Sequence, residues 1–153
     1  MSSRGVRSAA RALIVRDGQL LVTVNNGSDE FWMIPGGGQR HGETLHQALQ
    51  RECLEEIGCE VEIGELAWVR DYLAAHHEHG YLDPHFQQVD HAFWCRLPDR
   101  VEPVNSGTGD RFQSGVRWVR LDELADAPLW PRVVKTWLLT PADRRPIYLG
   151  DVN

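Results

Sequence analysis

Lysine is nearly missing from this chain. Lys135 stands alone, so arginine supplies almost all of the sixteen basic residues, which face twenty-two acidic ones. The net charge of −6 argues against a general nucleic-acid binder, which needs a basic face to neutralise phosphates. Cysteine is scarce as well. Cys53, Cys59 and Cys95 are odd in number and form no CxxC pair, which argues against a disulfide framework or a zinc knuckle. Long apolar runs are also lacking, so no membrane span is expected. Behind Arg4, Arg7 and Arg11 only the run Ala12 to Val15 is apolar before Arg16 and Asp17, too short for a signal-peptide core. A cytoplasmic, reducing setting is expected, with no nucleic-acid and no membrane partner.

The 153 residues suit a single domain with one core, and 42% hydrophobic and 25% charged content are ordinary for a globular chain. Residues 8–16 and Gln19 to Val24 are strand-like, and Asp17-Gly18 between them is a hairpin signal. Phe31 to Ile34 reads as a short strand running into a glycine run. Glu43 to Ile57 reads as a helix that Gly58 ends. Strands are expected at Val61 to Leu73, Gln87 to Leu97 and Val116 to Arg120. Polar loops are expected over 74–86 and 98–114, with helices near Asp122 to Ala127 and Arg132 to Leu139. This mixture predicts an α/β fold with a mixed sheet covered by helices.

Chemistry concentrates in GGQRHGETLHQALQRECLEEIGC, from Gly37 to Cys59. On a helix, Glu52, Glu55 and Glu56 occupy i, i+3 and i+4, so their side chains converge. Like charges at that spacing destabilise a helix by roughly 0.2–0.5 kcal/mol per pair. A neighbouring i+4 row of Leu45, Leu49, Cys53 and Ile57 packs on the sheet, which leaves the acids facing a cleft. Taken alone, such a trio is usually a solvated face. A hard divalent cation is the alternative, because Mg²⁺ and Mn²⁺ favour carboxylate, carbonyl and water oxygens. Such an ion would also offset the charge of a phosphate-bearing substrate.

The spacing decides between them. Gly37, Glu43, Arg51, Glu52, Glu55, Glu56 and Gly58 reproduce seven fixed positions of a 23-residue pattern that resembles the Nudix box of the Nudix (MutT-like) hydrolases. A chance match is on the order of 10⁻⁶ at ordinary composition. Cys53 and Cys59 stand where that pattern usually has aliphatic residues, and buried cysteine serves as a small hydrophobe.

The resemblance implies an α/β/α sandwich and a Mg²⁺- or Mn²⁺-dependent cleavage of a pyrophosphate bond. It implies Glu52, Glu55 and Glu56 as metal and catalytic residues, with Glu56 the foremost ligand. Glu52 serves as ligand or general base. The Gly36 carbonyl is a further ligand, Glu43 a support near the metal, and Arg51 a residue that holds Glu55 in place. A loop carboxylate is also expected, with Asp110 the candidate and Asp90 and Glu102 as competitors. Substrate selection is expected outside the box, in the segment 74–86, through His77, Tyr81, His85 or Phe86. The substrate is expected to be a nucleoside diphosphate linked to another moiety. A nucleoside triphosphate is the alternative, and a non-catalytic nucleotide-sensing or partner-binding module is the rival of another class. The family also leaves room for a homodimer.

Two spacing hints do not match. Ala74 and Ala75 stand where ADP-ribose-type members carry a proline, and Ala75, His76 and His77 stand where dinucleoside-polyphosphate members carry a tyrosine. The cluster His76, His77 and His79 lacks the HExxH spacing, so a zinc site is set aside. Cys53 reads as packed rather than nucleophilic, and the six tryptophans read as packing rather than a base-stacking platform.

Overall fold

Asp17 and Gly18 both take positive φ, 52° and 72°, as the hairpin signal requires. They join β1 (Arg7–Arg16) to β2 (Gln19–Asn26). That hairpin pairs only at its tip, Val15 with Leu20 and Arg16 with Gln19. Below the tip β1 leaves β2 and pairs in parallel with β6 (Gln87–Arg96) from Arg7 to Ile14. The divergence opens space between the two strands. The computed structural model describes residues 5–109 and 112–153.

The remaining elements are β3 (Glu30–Met33), β4 (Gly36–Gly38), α1 (Leu45–Ile57), β5 (Glu62–Leu73), β7 (Gln113–Arg120), α2 (Val133–Leu139) and β8 (Tyr148–Asp151). The strands join in one mixed sheet, in the order β3-β2-β1-β6-β5-β8, with β4 on β1 and β7 on β2. One face carries α1, whose Leu49, Cys53 and Ile57 pack with Ala10, Ala12, Ile14 and Phe93. The other carries α2, whose Val134, Trp137 and Leu138 pack with Leu13, Trp68 and Ala92. This is the expected α/β/α sandwich around a mixed sheet.

The helix begins at Leu45, not Glu43, because Thr44 caps it. Thr44 Oγ1 accepts from the Gln47 N–H at 3.1 Å, and Gln47 Oε1 accepts from the Thr44 N–H at 2.9 Å, a reciprocal capping box. Gly58 closes the helix in the left-handed region at φ 72°. The segment Leu121–Asp126 is a 3₁₀ turn instead of an α-helix. The segment 74–86 also holds two 3₁₀ turns, Ala74–His76 and Gly80–Leu82. Two strands went unforeseen. β4 is three glycines, and β8 is an edge strand four residues long.

None of the described helices is long and apolar enough to cross a membrane.

Candidate active site

Helix α1 lies on the sheet through its apolar row, and that contact turns its next face toward β4. Glu52, Glu55 and Glu56 then line a cleft of about 460 Å³. Gly36 and Gly37 form its floor. Arg7 and Arg11 enter from β1, four residues apart and so on one face of the strand. Thr23, Asn25, Phe31 and Met33 make the wall from β2 and β3, and Thr108, Gly109 and Phe112 close the far side.

The floor needs glycine for steric reasons. Gly36 has φ 141°, and a Cβ there would lie 2.1 Å from the Ala10 carbonyl oxygen. Its N–H donates to Glu56 Oε2 at 2.8 Å. A Cβ on Gly37 would lie 2.5 Å from Glu52 Cδ, so the carboxylate closes directly onto backbone.

Burial is the chief influence on Glu56 and pushes its carboxyl up to about 7. The Gly36 N–H and the Arg11 charge pull the other way, while Glu52 and Glu55 add to the rise. The floor therefore holds a carboxyl short of positive charge. Among the described residues, no three His, Cys, Asp or Glu side chains are gathered closely enough to be a ready-made metal site. The donors are nevertheless all oxygens. Such a set suits Mg²⁺, which keeps several waters and shares substrate phosphates in place of a full protein cage.

Arg51 has more partners than helical spacing implies. Its guanidinium forks onto Glu43, Nε to Oε2 at 2.7 Å and Nη2 to Oε1 at 2.9 Å. It also donates to Glu52 Oε1 at 2.8 Å and to the Gly38 carbonyl at 2.9 Å. Glu55, the partner expected from helical spacing, is paired too, as an i,i+4 ion pair at 3.7 Å. Glu43 lies beyond the start of the helix, where the chain folds back over Arg51, and no helical spacing reports that contact. The Arg51 hydrogen bonds, followed by the Arg40 N–H, hold the Glu43 carboxyl down at about 2. Arg51 thus ties Glu52 to Glu43 and to the β4 backbone.

The carbonyl ends of α1 are capped by the chain that follows. Ser106 Oγ donates to the Glu55 carbonyl, Gln113 Nε2 donates to the Glu56 carbonyl at 2.6 Å, and the Val104 N–H donates to the Ile57 carbonyl at 2.9 Å. Asp110, the expected loop carboxylate, lies outside the described residues. Its two competitors are engaged elsewhere. Asp90 sits on β6, 1% exposed, and accepts from Arg70 Nε at 2.7 Å, Arg11 Nε at 3.3 Å and Gln88 Nε2 at 2.9 Å. Burial alone would raise its carboxyl, and the two arginines overcome that and hold it low. Glu102 takes the Arg16 guanidinium at 2.9 Å.

The four residues expected to select substrate are not among those lining this cleft. Strand β8 engages one of them, His77, and its neighbour His76 by bringing Asp151 to them. His77 Nε2 shares a hydrogen bond with Asp151 Oδ1 at 2.7 Å, and His76 Nδ1 shares one with Oδ2 at 2.6 Å. The His77 ring also stacks on Tyr72 at 5.1 Å. Phe86 tilts against the same Tyr72 ring at 6.1 Å, while Tyr81 and His85 are exposed. The residues missed from sequence are Arg7, Arg11, Thr23, Asn25, Phe31, Met33, Thr108, Gly109 and Phe112. Only the arginines left a signal, their spacing of four on an alternating strand. Cys53 is wholly buried and its thiol is pushed far up by burial, which fits a packing role. None of the six tryptophans lines the cleft.

A family model described as NUDIX domain matches residues 5–138, so this chain belongs to the Nudix family. The chain is 31% identical to CTP pyrophosphohydrolase of Escherichia coli K12, over 60% of this chain and 76% of that protein. It is 41% identical to RNA pyrophosphohydrolase of Wolbachia pipientis over 46 residues, 30% of this chain. That match spans only 28% of the relative's length. A solved NUDIX hydrolase from Nitrosomonas europaea superposes with a TM-score of 0.72 at 21% identity, covering 99% of this chain and 81% of that one.

Proposed function

We propose that this chain is a Mg²⁺- or Mn²⁺-dependent pyrophosphohydrolase. Its substrate is a nucleoside diphosphate linked to another moiety. The supporting observation is one cleft in which three glutamates of α1 face two arginines of β1 across a glycine floor. Glu52, Glu55 and Glu56, with the Gly36 carbonyl, would hold the metal. The bound cation would lower the pKa of water and neutralise diphosphate oxygens. Arg7 and Arg11 bind the diphosphate and orient it. Water adds to one phosphorus, and its proton passes to a cleft carboxylate, Glu52 or Glu56. The bridging P–O bond breaks, and the leaving phosphate keeps the electron pair. Arg51 fixes Glu52 for this work. The cytoplasm is the proposed setting, in keeping with three buried, unpaired thiols.

The relatives favour a nucleoside triphosphate as the second reading, since one is named as a CTP pyrophosphohydrolase. A panel of nucleoside triphosphates, nucleotide sugars, ADP-ribose, dinucleoside polyphosphates and NADH, assayed with Mg²⁺ and with Mn²⁺, tests both. Release of phosphate-containing products that EDTA abolishes is expected. Tight nucleotide binding without turnover across the panel would favour a sensing module instead.

A further inference from the structure

Asn25 is 6% exposed, yet it lines the cleft. Both hydrogens of its side-chain amide are used inside the protein. Nδ2 donates to the Thr23 carbonyl at 3.2 Å and to Thr23 Oγ1 at 3.1 Å. The Thr23 hydroxyl spends its own hydrogen on the Met33 carbonyl at 3.3 Å, so it can only accept from Asn25. Flipping the amide would set Oδ1 against the Thr23 carbonyl, two acceptors face to face. The orientation of Asn25 is therefore fixed. Its Oδ1 takes no hydrogen bond from any described residue. The β2–β7 ladder is interrupted beside it, where Val24 pairs Gly115 and Asn25 pairs Gln113, so Ser114 of β7 is the extra residue of a bulge. The result is an acceptor locked in direction, in a cleft that Phe31, Met33 and Phe112 also line.

An apolar slot with one oriented polar atom suits a flat heterocycle with a matching edge. We propose that Asn25 reads the nucleobase, accepting an N–H from the exocyclic amine of a 4-aminopyrimidine or 6-aminopurine seated against Phe31, Met33 and Phe112. Bases with a carbonyl at that position would place acceptor against acceptor and leave Asn25 Oδ1 unpaired. This specificity rests on the nucleotide reading above and adds the class of base.

Two pairs of substrates isolate the edge: CTP against UTP, and ATP against ITP, each with saturating Mn²⁺. The amino member of each pair is expected to lead by at least about tenfold in kcat/KM. Asn25→Leu, which keeps the branched heavy-atom outline and removes the acceptor, is expected to bring that ratio to within about twofold. Calorimetric binding of CMP and UMP to the unaltered protein reads the same preference without turnover and without a variant. Equal kcat/KM within both pairs, or a preference that survives Asn25→Leu, overturns the base reading and leaves the pyrophosphohydrolase reading standing. Absence of turnover of these four and of the nucleotide sugars, ADP-ribose and NADH, together with absence of monophosphate binding, overturns both.

Discussion

Glu56 and Gly36 are joined by a 2.8 Å hydrogen bond from the Gly36 N–H to Glu56 Oε2, which fixes the last turn of α1 over the floor of the cleft. One carboxylate oxygen is thereby committed to backbone, and the buried carboxyl depends on whatever else reaches it.

Glu56→Gln keeps the shape and the Gly36 contact but removes the charge. The variant is expected to fold normally and to lose at least about a thousandfold in kcat, of the order seen when a central electrostatic group is removed. Circular dichroism and turnover at saturating Mg²⁺ check it. Near-normal rates would sink the assignment of Glu56 to the metal.

The raised carboxyl of Glu56 links folding, protons and cations. Its folded value of about 7 exceeds the usual 4.5, so the folded state favours the protonated form. That stabilisation is fully present below about pH 4.5 and is lost as pH rises through about 7, a span worth roughly 3 kcal/mol. In EDTA, Tm is expected to fall between about pH 5 and pH 8, and Mn²⁺ is expected to shrink that fall. Metal binding near pH 6.5 should release up to about one proton, measurable by calorimetry in buffers of different ionisation enthalpy. A flat Tm profile in EDTA would contradict this.

Neighbouring glycines should fail differently. At Gly37 an added methyl meets the Glu52 carboxyl, a side chain that can move. Gly37→Ala should therefore cost activity, at least about tenfold in kcat, with little loss of Tm. At Gly36 the methyl meets the Ala10 backbone and φ is positive, so Gly36→Ala should lower Tm as well. Thermal melts beside turnover separate the two.

Asp90 carries two guanidinium groups in the sheet interior. Asp90→Asn leaves Arg11 and Arg70 without their counter-charge, and a loss of about 3–5 kcal/mol is expected. Urea denaturation measures it. A loss below about 1 kcal/mol would show that the arginines find other partners.

The glutamate cluster was legible in the sequence because it is local. Glu52, Glu55 and Glu56 sit on one helical turn, and helical periodicity with one capping glycine is enough to bring them together. Asp17-Gly18 was legible for the same reason, since a two-residue turn states its own dihedral angles. The binding wall was not. Thr23 and Asn25 come to share a cleft with Glu52 as β1 parts from β2 and α1 and β4 approach, a tertiary event without a local signature. Arg51 was legible only in part: helical spacing named Glu55, which it does pair at 3.7 Å, while the chain folding back adds Glu43 with better fork geometry. The histidines misled because β8, four residues at a sheet edge, carries almost no pattern.

The turn that carries Glu55 and Glu56 hangs by its carbonyls from Ser106 and Gln113, and the chain between those two also supplies Thr108, Gly109 and Phe112 to the cleft. The proposed base-reading wall and the glutamate cluster thus share one support. A ligand that presses on Phe112 would press on a loop already fastened to the turn of Glu55 and Glu56. Changes that reshape this wall for a new substrate must keep those donors in register, or the glutamates shift with the loop.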